Sequence, residues 1–331
     1  MAEEITKRRS DRYKNENQDN QKNQETPKKE KKKLILKEKK KDIQKEPKEK
    51  KEHPLLNKIV LTILLSFIIL ICYSTMVEPK FINIKEYKIE SKTIPESFHG
   101  FKIIQLSDIH YGTTTNKKYL ERLSKKINEL KPDIIVFTGD LLDKNISLTE
   151  TSEKELTSFL NSLKSSLYKY AIYGDEDLDN KRYSEIISNS GFILLENKIT
   201  PLYYKDTTPI IITGYNPMIT KPNYTILTDF IDNKDTSNLF KLVLTHEPDS
   251  LDKFIDYNPN LVLSGHSLGG IIDLKFTTPL ALPQNSTKYY DDYQKIKNTD
   301  LYISNGLGSN GLNARFLNPP SINLYRFYKT K

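Results

Sequence analysis

The sequence predicts an α/β layered domain preceded by a single membrane-spanning helix and a disordered basic tail, and three observations carry that reading. Residues 59–77 contain no charged side chain. Beyond residue 79, short apolar runs alternate with stretches of helical periodicity. Most of those runs stop at a cluster of Asp, His and Gly.

The uncharged run is mostly Ile, Leu and Val, and its 19 residues cover about 28 Å as a helix, nearly the full hydrocarbon thickness of a bilayer. No Ala-x-Ala-like cleavage site follows it, and Ile71 stands before Cys72 where a lipoprotein signal needs a small residue. The chain therefore divides into a Lys/Glu-rich disordered tail (1–53), a transmembrane helix (54–78) and a folded domain (79–331). The tail lacks the apolar residues needed to offset chain entropy, and its lysines suit anionic headgroups of membrane lipid. Positive charge before the helix predicts a cytoplasmic N-terminus and an extracytoplasmic C-terminal domain.

Charge and cysteine content exclude other classes. Residues 1–52 hold 19 Lys or Arg against 12 Asp or Glu, so they carry seven of the chain's net eight positive charges. The folded part is nearly neutral and lacks a basic groove for nucleic acid. Cys72 is the single cysteine, which rules out a disulfide framework and a thiolate zinc cluster.

Apolar runs at 102–106, 134–137, 170–173, 210–213, 242–244 and 261–263 suit buried strands. Between them, 117–130 places Leu120, Leu123, Ile127 and Leu130 on one helical stripe, and 153–163 does the same with Leu156, Phe159, Leu160 and Leu163. Residues 271–276 also look like a strand. Five strands run into polar ends: Ser107-Asp108-Ile109-His110, Gly139-Asp140, Gly174-Asp175-Glu176-Asp177, Thr245-His246 and Gly265-His266. Ligand sites in α/β sheets form outside such carboxyl ends, and carboxylates with imidazoles suit manganese, iron or zinc. Asp177, Asp143 and Asp179 read as helix caps or solvated loop residues, and His53 and His99 as structural or solvent-facing.

In this order the motifs resemble those of the calcineurin-like metallophosphoesterases, in particular the membrane-anchored bacterial branch, over roughly residues 100 to 328. The resemblance includes the late 301–308 stretch, Arg315-Phe316 and Pro319-Pro320. It implies a layered αββα sandwich, one or two divalent metal ions, and hydrolysis of phosphomonoesters or phosphodiesters by metal-activated water. By position, Asp108 and His110 would ligate a first metal, Asp140 would bridge, and Asp175, His246 and His266 would ligate a second. The substrate would be a phosphorylated small molecule or a lipid-linked one, selected by loops 217–238 and 283–298.

Two positions depart from the family pattern. The usual Gly-Asn-His becomes Gly174-Asp175-Glu176, which puts Glu176 where the catalytic imidazole belongs. Gly-His-x-His becomes Gly265-His266-Ser267-Leu268, so a first-site ligand is an alkyl group that has no lone pair to donate. Glu176 could serve as a general acid if nearby carboxylates raised its pKa. The departures imply weakened turnover, or a non-catalytic protein that binds a phosphorylated or metal ligand. A third reading takes Gly265-His266-Ser267-Leu268-Gly269 as the nucleophile elbow of a serine esterase using Ser267, but no histidine follows it in the chain.

Overall fold

The structure is a computed structural model describing residues 54–331 apart from 113, 145, 228–237 and 275; the tail expected to be disordered lies outside the described residues. The chain divides into two units, Met1–Leu61 and Thr62–Lys331. Helix α1 (Pro54–Cys72) begins with Pro54 and buries none of its residues. A wide π-type turn (Tyr73–Val77) and a 3-10 turn (Glu78–Lys80) continue it. The whole run Pro54–Lys80 is long and apolar enough to cross a membrane.

Two six-stranded sheets form the body of the second unit. In the first, β1 (Asn83–Ser91) and β12 (Ser321–Lys329) pair in parallel, β12 lies antiparallel to β2 (Lys102–Leu106), and β3 (Ile134–Phe137), β4 (Lys169–Ala171) and β5 (Ile193–Leu194) follow in parallel. The second runs β10-β11-β9-β8-β7-β6, from β10 (Tyr293–Ile296), β11 (Thr299–Ile303) and β9 (Leu261–Ser264) to β8 (Lys241–Leu244), β7 (Ile210–Gly214) and β6 (Lys198–Leu202).

Alternation of side chains along each strand divides the interior into layers. In β2, Ile104 and Leu106 face the helical layer, whereas Ile103 faces the second sheet together with Ile134 and Val136. That helical layer comprises α2 (Lys117–Leu130), α3 (Glu150–Ser162) and α4 (Tyr183–Asn189). The stripe on α2 supplies Leu120, Leu123 and Ile127; α3 supplies Leu156, Phe159 and Leu160. Between the sheets, Ile210 and Ile212 meet Leu242, Leu244, Leu261 and Leu263. The outer face of the second sheet is covered by the 3-10 turns Pro248–Lys253 and Ile255–Tyr257, through Leu251, Phe254 and Ile255.

Caps set the helix limits. Asn116 accepts from the Tyr119 N–H at 3.1 Å to start α2, and left-handed Lys131 ends it before Pro132. Thr149 forms a capping box with Ser152, which draws α3 back to Glu150 from the expected 153. The polar residues of that added turn carry no periodic signal.

Among the described residues, the strand expected at 271–276 does not form. Gly269, Gly270 and Ile271 all have positive φ, which breaks the extended backbone. Ile272 makes only isolated bridges, to Leu280 and Phe316. In the inter-sheet core, Leu244 is fully buried, and Leu244→Ala should lower stability by about 2–5 kcal/mol, read as a lower urea midpoint at unchanged slope.

Candidate metal centre

The five polar strand ends converge at one edge of the two sheets, and the backbone there is unusual. Asp108, His110, Asp140 and His266 all sit at positive φ, between 44° and 66°, a region that L-residues rarely enter. Such geometry persists only where neighbours enforce it. Gly139, at φ 99°, permits the turn after β3, and a Cβ at Gly174 would collide with the Asp140 carboxylate, so both glycines are needed for close approach.

Asp177 is the main enforcer. Its carboxylate accepts the N–H groups of Asp140 (2.8 Å), Leu141 (2.9 Å) and Gly174 (2.8 Å), tying the loop after β3 to the loop after β4. Burial and the adjacent Asp140 charge push its carboxyl above the usual range, while the N–H donors pull it back. It is neither a solvated loop residue nor a simple cap, and Asp143 is buried as well.

All six expected donors come together. Asp140, Asp175, His246 and His266 form one group with donor atoms within 4.8 Å of one another; Asp108, His110 and Asp140 form another, so Asp140 belongs to both. His246 Nε2 lies 3.2 Å from Asp140 Oδ2 and 3.1 Å from Asp175 Oδ1, and His266 Nδ1 lies 3.1 Å from the same Asp175 oxygen. Donors about 2.0–2.1 Å from a tetrahedral ion stand about 3.3 Å apart, so these spacings fit a metal.

The outward ring nitrogens fix the inward ones. His246 Nδ1 lies 2.6 Å from the Thr138 carbonyl, and His266 Nε2 lies 2.7 Å from the Gln284 carbonyl. A carbonyl can only accept, so each outward nitrogen carries the proton and each inward nitrogen offers a lone pair. Asp108 receives the His266 N–H at 3.0 and 3.2 Å. His110 turns Nδ1 toward Glu176 Oε2 at 3.2 Å and Nε2 toward Asp140 at 3.9 Å.

The cluster is electrostatically unbalanced without cations. Burial raises the Asp108 carboxyl, helped by Asp140. Burial opposes the imidazolium of His110, yet Glu176, Asp140 and Asp108 outweigh it and lift its pKa to about 9. His246 is raised in the same way by Asp140 and Asp175. A divalent ion held by these groups would bind in competition with protons.

Residues 101–270 match the calcineurin-like phosphoesterase family. A Bacillus subtilis metallophosphoesterase, YkuE, is 33% identical over 78% of this chain and 90% of its own length. The chain belongs to the calcineurin-like phosphoesterases. As a member it is a hydrolase of phosphoester bonds that uses divalent metal ions. It is also similar to a Danio rerio transmembrane protein with a metallophosphoesterase domain (27% identity, 74% of this chain, 56% of that protein). The UDP-2,3-diacylglucosamine pyrophosphatase LpxG of Chlamydia trachomatis is 27% identical over 70% of this chain and 86% of its own.

Several residues around the centre had no role assigned from the sequence, although Arg315 belongs to the stretch that carries the resemblance. Asn310 Nδ2 donates to Glu176 Oε1 at 2.6 Å, and the Lys144 N–H donates to Glu176 Oε2 at 3.1 Å. Arg315, fully buried, donates to the carbonyls of Leu268 (2.8 Å) and Gly308 and to Ser309 Oγ (3.2 Å). Asn318 Nδ2 reaches the same Leu268 carbonyl at 2.6 Å. Ser267 Oγ accepts the Gly269 N–H at 3.1 Å, and the rings of all three site histidines are engaged elsewhere, which removes the base a serine esterase needs.

Asp177→Asn keeps the shape but turns an NH2 toward backbone donors. It should destabilise the protein by about 2–4 kcal/mol and reduce its metal content, measured by denaturation and elemental analysis of the same preparation.

Proposed function

We propose that this protein is a membrane-tethered phosphoesterase of lowered first-site metal affinity, with its catalytic domain outside the cytoplasm and acting on a phosphorylated small molecule or a lipid-linked phosphoester. The observation that carries the reading is the pair of donor groups sharing Asp140. Asp108, His110 and Asp140 would hold one ion; Asp140, Asp175, His246 and His266 would hold the other. Ions so held supply Lewis acidity for phosphoryl oxygens and lower the pKa of water.

The protein's own groups hold this arrangement. Thr138 and Gln284 orient His246 and His266 through their carbonyls, and Asp177 fixes the bridging Asp140. An orienting role for Glu176 is supported by its surroundings: one oxygen faces His110, the other takes the Asn310 amide, and only 5% of the side chain is exposed. Such a carboxylate positions the imidazole for its metal. The alternative role, general acid, requires a free oxygen directed at the leaving group.

Leu268 supports the idea of a weakened first site. It holds the left-handed backbone of its loop at φ 51°. A carbon built onto Gly306 would touch both the Leu268 side chain and Asp108 Cβ, so Leu268 forms part of the wall of that site. The lipid-linked reading is supported by the apolar helix and by the diacylglucosamine substrate in the name of LpxG.

The full chain in detergent should hydrolyse an aryl phosphate ester only with divalent metal, and a chelator should abolish turnover. Turnover unaffected by chelator would refute the reading. Leu268→His should raise first-site metal affinity roughly 10-fold or more, seen as a lower metal concentration for half-maximal activity.

Glu176→Gln separates the two roles of that residue, because an acidic phenol leaves without a proton donor. A 10–100-fold loss on such a substrate, together with weaker metal binding, is expected for an orienting residue. A loss confined to substrates with poor leaving groups would assign the general acid instead.

A further inference from the structure

The turn that ends the apolar helix is bonded to loops of the catalytic domain at a depth where lipid, rather than water, is expected. Ser74 lies three residues inside the uncharged run 59–77, about 4–5 Å below its end at helical rise. In the π-type turn the Glu78 N–H closes on the Tyr73 carbonyl. The Ser74 carbonyl accepts instead from the Arg315 N–H at 2.8 Å. A backbone carbonyl at that depth needs a partner, and a loop of the domain supplies it.

Neighbouring contacts extend this junction. Phe316 meets Tyr73 edge to face at 6.4 Å between centroids. The Glu78 carboxylate accepts the N–H groups of Leu317 (3.0 Å) and Asn318 (2.6 Å). Phe316 in turn is bridged to Ile272, and Ile272 to Leu280. Tyr73, Phe316, Ile272 and Leu280 are thus linked in a series that starts at the helix. Its outer side chains are bare: Phe276 is 81% exposed, Leu280 55% and Leu317 47%. Asp273, Thr277 and Thr278 interrupt it, the mixed pattern of a surface at the headgroup boundary.

We propose that residues 271–274, 276–281 and 312–317 form an apolar shelf that rests in the interface of the same bilayer the helix crosses, its partner being the acyl chains nearest the headgroups. This rests on the reading of α1 as a membrane span. Arg315 carries the shelf's position inward: its N–H bonds Ser74 while its guanidinium holds the Leu268 carbonyl, two residues after His266. The metal centre therefore stands at a fixed height above lipid.

The chain contains no tryptophan, so single reporters give an unmixed signal. Phe276→Trp, Leu280→Trp and, within α1, Phe67→Trp would each be placed in the full chain, in nanodiscs of phosphatidylcholine with or without bromine on the acyl chains. All three positions are exposed, so the indole needs no repacking. The expected result is that brominated lipid quenches all three. Quenching at Phe67→Trp with none at the other two would overturn the shelf and leave the span intact. No quenching at Phe67→Trp would overturn the span, and the shelf with it.

Discussion

Two loops from neighbouring parallel strands must come close enough for Asp140 to belong to both donor groups, and the carboxylate of Asp177 makes this possible. It takes N–H groups from both loops at once, replacing the strand ladder where β3 and β4 have ended. With that link made, Gly139 and Gly174 can pack without side chains, Asp140 can hold its left-handed backbone, and His246 can seat its ring against Thr138. The interaction stabilises geometry that carries considerable local strain.

Much of this was legible in the sequence because the donors follow strands directly. Asp108, His110, Asp140, Asp175, His246 and His266 each stand two to four residues beyond an apolar run, and the carboxyl ends of parallel strands place them together. The substitutions at Glu176 and Leu268 were legible for the same reason. Partners distant in the chain were not. Asn310 meets Glu176 across 134 positions, and Glu78 meets Asn318 across 240, and neither spacing carries a periodic signal. The pairing of β1 with β12 was hidden too, since Lys85, Glu86 and Lys88 interrupt the first strand and Asn323 and Arg326 the second. The failed strand at 271–276 shows the converse: its pattern is apolar, but the positive φ values before it decide the path of the chain.

The loop after β9 has two masters. Its first part, through His266, belongs to the metal centre; its second, through Ile272, belongs to the surface beside the helix. Arg315 and Asn318 clasp it between them at the Leu268 carbonyl. A fully buried guanidinium without a carboxylate partner is costly, and burial draws its pKa down to about 10. Three oxygen acceptors compensate it, so the cation acts as a rivet between segments rather than as half of an ion pair.

Only Phe81 and Ile82 separate the 3-10 turn at Lys80 from β1, and β1 is at once paired with β12 through nine residues. Two residues give at most about 7 Å of extended chain, and Glu78 is itself tied to the domain. The domain therefore has no leash. With α1 read as a membrane span, it cannot swing out to sample solution, and its encounters become those of a body moving in a plane, where the areal density of a substrate, rather than its bulk concentration, sets how often the two meet.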